Sequence, residues 1–156
     1  MLKRIITIAL ILFATKVSAQ KALESPIRFA KDSSLNEFIK NWIRKPYKLG
    51  GYTERGIDCS QFNKRLALDV YKVEIQNTCE TQWENTERIK KDSLEVGDII
   101  FFRSRQSPSG WHCATYIGET MFVHAANRYE GVKISSLLEP KYKKAYKGAG
   151  RYVKGK

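Results

Sequence analysis

The stretch Tyr47-Lys48-Leu49-Gly50-Gly51-Tyr52-Thr53-Glu54-Arg55-Gly56-Ile57-Asp58-Cys59-Ser60-Gln61-Phe62 constrains this chain more than any other. Three glycines around a Thr-Glu-Arg run predict a loop over 50–56. From Phe62 onward apolar residues recur at helical spacing: Leu66, Val70 and Val73, with Ala67 and Tyr71 beside them. The helix should end near Lys72. Asp58 then takes the N-cap position and Cys59 falls in the first turn. A thiol there meets the positive end of the helix dipole and unpaired N–H groups, both of which favour thiolate. Cys59 is therefore a candidate nucleophile. On this stretch alone the alternative is a buried structural cysteine.

The two histidines of the chain, His112 and His124, bear on that choice. Both lie in apolar, strand-like runs, 111–118 and 121–125, joined by Gly118-Glu119-Thr120 as a hairpin. With period-two alternation and pairing about Glu119, the two rings share one face of the hairpin. A helix-start cysteine with histidines on paired strands is the layout of papain-like cysteine hydrolases. In it His112 is the base and His124 fixes its orientation and tautomer. A lone histidine on a strand is more often structural; the combination with Cys59 favours catalysis.

Five blocks of the sequence resemble the NlpC/p60 superfamily of cell-wall cysteine peptidases, in family order and over roughly residues 40 to 153. They are Tyr47-Lys48-Leu49-Gly50-Gly51, Asp58-Cys59-Ser60-Gln61-Phe62, Leu94-Glu95-Val96-Gly97-Asp98-Ile99-Ile100-Phe101-Phe102, His112-Cys113-Ala114-Thr115-Tyr116-Ile117-Gly118 and Phe122-Val123-His124-Ala125. The resemblance implies a catalytic Cys59, His112 and His124. It makes Tyr47 an oxyanion donor, which suits acyl transfer because developing negative charge needs preorganised donors. It gives Asp58 and Ser60 the substrate's N-terminal amine and neighbouring groups. The implied substrate is the peptide stem of peptidoglycan, cut at the γ-D-glutamyl bond to the diamino acid, with no cofactor. Two positions depart from the pattern: Gln61 replaces a glycine, and Trp111 replaces a small residue before His112, where it is a candidate specificity wall. Asn77 also replaces an arginine in Asn77-Thr78-Cys79-Glu80-Thr81-Gln82.

Residues 1–19 read as a secretory signal peptide: Lys3 and Arg4, an apolar run from Ile5 to Ala14, then Val17-Ser18-Ala19 before Gln20. That run is short for a membrane span, so no stable span is expected after cleavage, and no cysteine follows that would carry a lipoprotein anchor. Without these residues the chain has 25 basic and 16 acidic residues, a net +9. Anionic envelope polymers are the matching partners for an exported protein. The excess concentrates at Lys141, Lys143, Lys144, Lys147, Arg151, Lys154 and Lys156, which could equally be a solvated basic face. No nucleic-acid module is recognisable. Three cysteines, Cys59, Cys79 and Cys113, exclude a fully paired framework. Cys113 should point away from His112. A Cys79–Cys113 bridge is open. Two histidines beside one cysteine give no closed metal site.

The rest of the chain fits one domain over 34–156, after a polar lead-in at 20–33. Ser34-Leu35-Asn36-Glu37 has the form of a capping box before an amphipathic helix through Leu35, Phe38, Ile39, Trp42 and Ile43. Residues 74–93 are polar, and no element is assigned within them. Strands are predicted at 99–103, 111–117, 121–125, 132–135 and 148–153, with a short helix within 136–146. The fold class is α+β: N-terminal helices packed on a five- or six-stranded antiparallel sheet, papain-like in plan, expected as a monomer. Rival readings are an interbacterial or phage-type peptidoglycan amidase effector of similar fold, and a non-catalytic wall-binding relic.

Overall fold

The computed structural model describes residues 33–152. The signal-peptide reading, most of the lead-in, and Lys154 and Lys156 lie outside the described residues. The elements are α1 (Ser33–Trp42), β1 (Tyr52–Thr53), β2 (Gly56–Ile57), α2 (Cys59–Tyr71), α3 (Cys79–Glu84), β3 (Glu87–Ile89), β4 (Ile99–Arg103), β5 (Trp111–Gly118), β6 (Met121–Ala125), β7 (Val132–Ser136), α4 (Pro140–Ala145) and β8 (Tyr146–Arg151). Six strands form one sheet in the order β3-β8-β4-β5-β6-β7, every neighbour antiparallel. This is the expected α+β plan.

Both faces of the sheet are covered. On one side Leu35, Phe38, Ile39 and Trp42 of α1 and Phe62 and Leu66 of α2 pack on Ile117, Val123 and Ala125. On the other, Ile100, Phe102, Ala114 and Phe122 meet Leu137, Tyr142 and Tyr146. Burial on both faces is why Ile99–Phe102 is an unbroken apolar run rather than an alternating one. Gly118-Glu119-Thr120-Met121 closes β5 onto β6 with positive φ at Glu119 and Thr120, the left-handed pair a tight hairpin turn demands. Pairing about Glu119 holds in the register Thr115–Val123 and Tyr116–Phe122. That register sets His112 and His124 diagonally on one face.

One reading is refined and one unassigned stretch is filled in. The 50–56 loop carries a miniature hairpin, Tyr52 against Ile57 and Thr53 against Gly56. The polar stretch 74–93 contains α3 and β3. Thr78 caps α3 through Thr81 in a reciprocal box, a Thr-x-x-Thr variant of the usual Glu or Gln pattern. The helix is short and buries only Cys79 and Gln82, so it left no apolar periodicity to read.

Candidate active site

Cys59 is the first residue of α2, and three contacts fix that helix start. Asp58 has extended backbone and accepts the Gln61 N–H at 2.9 Å, the N-cap bond. Its Oδ1 also accepts the Ser60 hydroxyl at 2.9 Å, and its Oδ2 accepts the Gly50 N–H at 3.0 Å. Gly51 is required beside them, because a Cβ there would lie 2.3 Å from the Gly56 carbonyl oxygen. Gln82, fully buried on α3, donates to the Ser60 carbonyl and to the Gln76 carbonyl, each at 2.9 Å. Gln82 was missed as a site residue. Only its place in the Asn77–Gln82 block hinted at it.

Asp58 and Ser60 are thus buried in the helix cap. Neither is among the residues that line the cleft around Cys59; the substrate-amine role expected of them would have to reach past these cap bonds. Gln61 does not crowd the cleft either: its amide reaches outward to the Asn77 carbonyl at 3.0 Å. Trp111 is the expected specificity wall. Its ring packs with Trp83 and Phe101, with the Lys147 ammonium 3.3 Å from its centroid, and it is not among the cleft-lining residues.

The cleft has a volume of about 520 Å³. Tyr47, Cys59 and His112 line it together, under walls that include the exposed Leu49 and Tyr129. Burial, then the neighbouring Cys59 and Asp58, pushes the Tyr47 phenol up to about 12, so it keeps its proton and remains a donor. The Nε2 of His112 lies 2.7 Å from Nδ1 of His124. The Nε2 of His124 lies 3.1 Å from the Ser135 hydroxyl and 3.4 Å from that of Tyr142. Burial, reinforced by the nearby His112, holds His124 well below the ordinary histidine range, so it is neutral.

Three thiols, that of Cys59 among them, meet at the start of α2. Cys59 Sγ lies 3.6 Å from Cys79 Sγ, Cys79 Sγ lies 2.8 Å from Cys113 Sγ, and all three fall within 4.8 Å of one another. Hydrogen bonds from Cys113 and Cys79 hold the Cys59 thiol well below its ordinary value; burial opposes them, and the His112 ring adds to the lowering. Burial drives Cys113 well above the ordinary thiol value. Cys79, though its bond to Cys113 favours thiolate, is pushed up by its bond to Cys59 and by burial. Cys113 does leave β5 on the face opposite His112, as alternation requires, but that face holds α2 and α3. The sequence offered no metal ligand set; the fold gathers three sulfur donors.

A match of residues 44–151 to the NlpC/P60 family decides the affiliation. The chain belongs to the NlpC/P60 family. It is 34% identical over 112 residues to a probable endopeptidase of Haemophilus influenzae, covering 72% of this chain and 69% of that one. It is 38% identical over 121 residues to the murein DD-endopeptidase MepS/murein LD-carboxypeptidase of Escherichia coli, covering 78% of this chain and 63% of the relative. An NlpC/P60 family protein from Bacillus cereus superposes with a TM-score of 0.69 at 30% identity, over 79% of this chain and 40% of that one. The chain thus spans about two thirds of the length of these curated relatives. Among the described residues no helix is long and apolar enough to cross a membrane.

Proposed function

We propose that this chain is an exported cysteine endopeptidase that hydrolyses the peptide stems of peptidoglycan, with Cys59 as nucleophile and His112 as base. One observation carries the reading: Cys59, its thiol pKa depressed, lines one cleft with His112 and with a protonated Tyr47, while His124 holds the His112 ring from behind. The tautomers follow from that chain of contacts. His124 donates its Nε2–H to Ser135 or Tyr142, which leaves Nδ1 as an acceptor. His112 then donates Nε2–H to it, and its Nδ1 accepts the Cys59 proton.

The thiolate attacks the carbonyl carbon, and the charge moves to the carbonyl oxygen. Tyr47 Oη–H and the Cys59 backbone N–H are the donors suited to that oxyanion. The imidazolium returns its proton to the leaving amine as the C–N bond breaks. Water, deprotonated by the same ring, then hydrolyses the thioester. The apolar run at the N-terminus supports export.

The family resemblance favours the γ-D-glutamyl–diamino acid bond. A second reading, the D,D cross-link, is favoured by the relatives named murein DD-endopeptidase, MepS and MepH, and by the engagement of Asp58 in the helix cap, which weakens the case for a free-amine pocket. Mass spectrometry of defined muropeptides after incubation with the purified protein tests both. A γ-D-glutamyl cut splits monomeric stems, and a D,D cut converts cross-linked dimers to monomers. Intact muropeptides of both kinds would refute the peptidase reading.

A further inference from the structure

We propose that Cys79 and Cys113 form an internal repair couple that returns an oxidised Cys59 to its thiol and ends as a Cys79–Cys113 disulfide. The geometry carries this. The Sγ–Sγ distances of 3.6 and 2.8 Å stand against about 2.05 Å in a disulfide. A metal bound at about 2.3 Å from each sulfur would spread them to about 3.8 Å, so the close pair suits sulfur–sulfur bonding better than a shared ion. Access is graded as well. Cys59 lines the open cleft, whereas Cys79 and Cys113 lie behind it, and Cys113 is fully buried. A hydroperoxide arriving through the cleft therefore meets Cys59 first.

The steps balance with a hydroperoxide as the oxidant. The Cys59 thiolate attacks the terminal peroxide oxygen, the O–O bond breaks and Cys59 becomes a sulfenic acid, while the departing hydroxide or alkoxide takes up the proton the thiol gave to His112 and leaves as water or alcohol. The Cys79 sulfur attacks the Cys59 sulfur, the S–O bond breaks, and hydroxide takes the thiol proton to leave as water, giving a Cys59–Cys79 disulfide. The Cys113 sulfur, its proton lost, attacks Cys79 and expels Cys59, which takes that proton up as it leaves. The net change is one sulfenic acid and two thiols converted to one thiol, one disulfide and water. The direction of the last step agrees with the local acidities, because Cys59 is the best thiolate leaving group of the three and buried Cys113 the worst. Without the couple, Cys59 would continue to sulfinic acid, which thiols do not reverse. The proposal concerns the three sulfurs and stands whatever bond the cleft hydrolyses.

The test is thiol mapping with no substrate present. The reduced protein, freed of reductant, is titrated with hydrogen peroxide, quenched by alkylation and digested for mass spectrometry. In the wild type the first equivalent should yield the Cys79–Cys113 disulfide with Cys59 alkylated, and sulfinic acid at Cys59 should appear only with further equivalents. Cys113→Ser should stop at a Cys59–Cys79 disulfide that dithiothreitol reverses. Cys79→Ser should form Cys59 sulfinic acid with no lag. In Cys59→Ala, peroxide should leave Cys79 and Cys113 as thiols, and a bridge forming there at the wild-type rate would overturn the sequence of steps. Wild-type protein that goes directly to Cys59 sulfinic acid, or halts at Cys59–Cys79, would overturn the proposal without any variant having to fold. Hydrolysis is measured separately, so failure of the peptidase reading would leave a distinct signature: normal thiol mapping with intact muropeptides.

Discussion

At the scale of single residues the proposed chemistry separates three roles. Cys59→Ala should abolish muropeptide hydrolysis with the fold retained, and His112→Ala should come close to it. His124 does not line the cleft with Cys59 and touches the His112 ring, so in the proposed chemistry it acts as a positioning residue. His124→Ala should lower kcat by roughly 10² to 10⁴, the range tautomer errors produce, with KM little changed. Steady-state kinetics on one defined muropeptide would check the split, and an unchanged kcat would make His124 a packing residue.

Its burial also has a pH signature. Folded His124 stays neutral well below the ordinary histidine value, whereas in the unfolded chain it takes up a proton near about 6.5. The unfolded state binds more protons in that window, so the stability His124 contributes is full above about pH 6.5 and falls as pH drops toward its depressed folded value. Urea midpoints at successive pH values should show this slope in the wild type and a flatter one in His124→Gln.

At the scale of elements, the start of α2 is the part on which the site depends. Asp58 there serves the cap. Asp58→Ala should lose about 1–2 kcal/mol of stability. Asp58→Asn keeps an acceptor for the Gln61 N–H but turns its amide N–H toward the Gly50 N–H, so it should lose part of that stability while KM stays near wild type. A large rise in KM for Asp58→Asn, with the fold intact, would support the substrate-amine role. Gln82→Ala strips a donor from the buried Ser60 carbonyl and should cost about 1–3 kcal/mol, read from chemical denaturation. It should also slow turnover by loosening the helix start.

The same elements show what the sequence could reveal. The α2 boundary, the β5–β6 hairpin and the diagonal histidines were legible because cap chemistry, helical period and strand alternation are local. The α3 helix was not, because a six-residue helix that buries only Cys79 and Gln82 carries no period. The meeting of Cys59, Cys79 and Cys113 was not, because it depends on how α2, α3 and β5 pack. The surroundings of Asp58 and Trp111 were not legible for a related reason: a motif position does not say whether a side chain faces the cleft or the neighbouring core.

At the scale of the whole molecule, a net +9 without residues 1–19 should govern where the enzyme works rather than how it cuts. The described part of the C-terminal lysine cluster sits on and beside α4 and at the start of β8. Lys147 lies over Trp111, and Lys141 lies 3.7 Å from Glu139, so part of this charge also has partners within the fold. Attraction between exposed charges is screened over about 8 Å at physiological ionic strength. Binding to intact peptidoglycan sacs should therefore fall steeply as salt rises. Cleavage of a small soluble muropeptide should change far less, since it depends on the cleft around Tyr47, Cys59 and His112. Replacing Lys141, Lys143, Lys144 and Lys147 together by Gln should reproduce the high-salt behaviour on sacs and spare the soluble substrate. Thermal unfolding of the same variant separates lost attraction from any loss of the Lys147–Trp111 contact. Pull-down on sacs that is indifferent to salt, or normal binding by the quadruple variant, would make the cluster a solvated face. Soluble fragments would then be the natural substrate, with the hydrolytic reading unaffected.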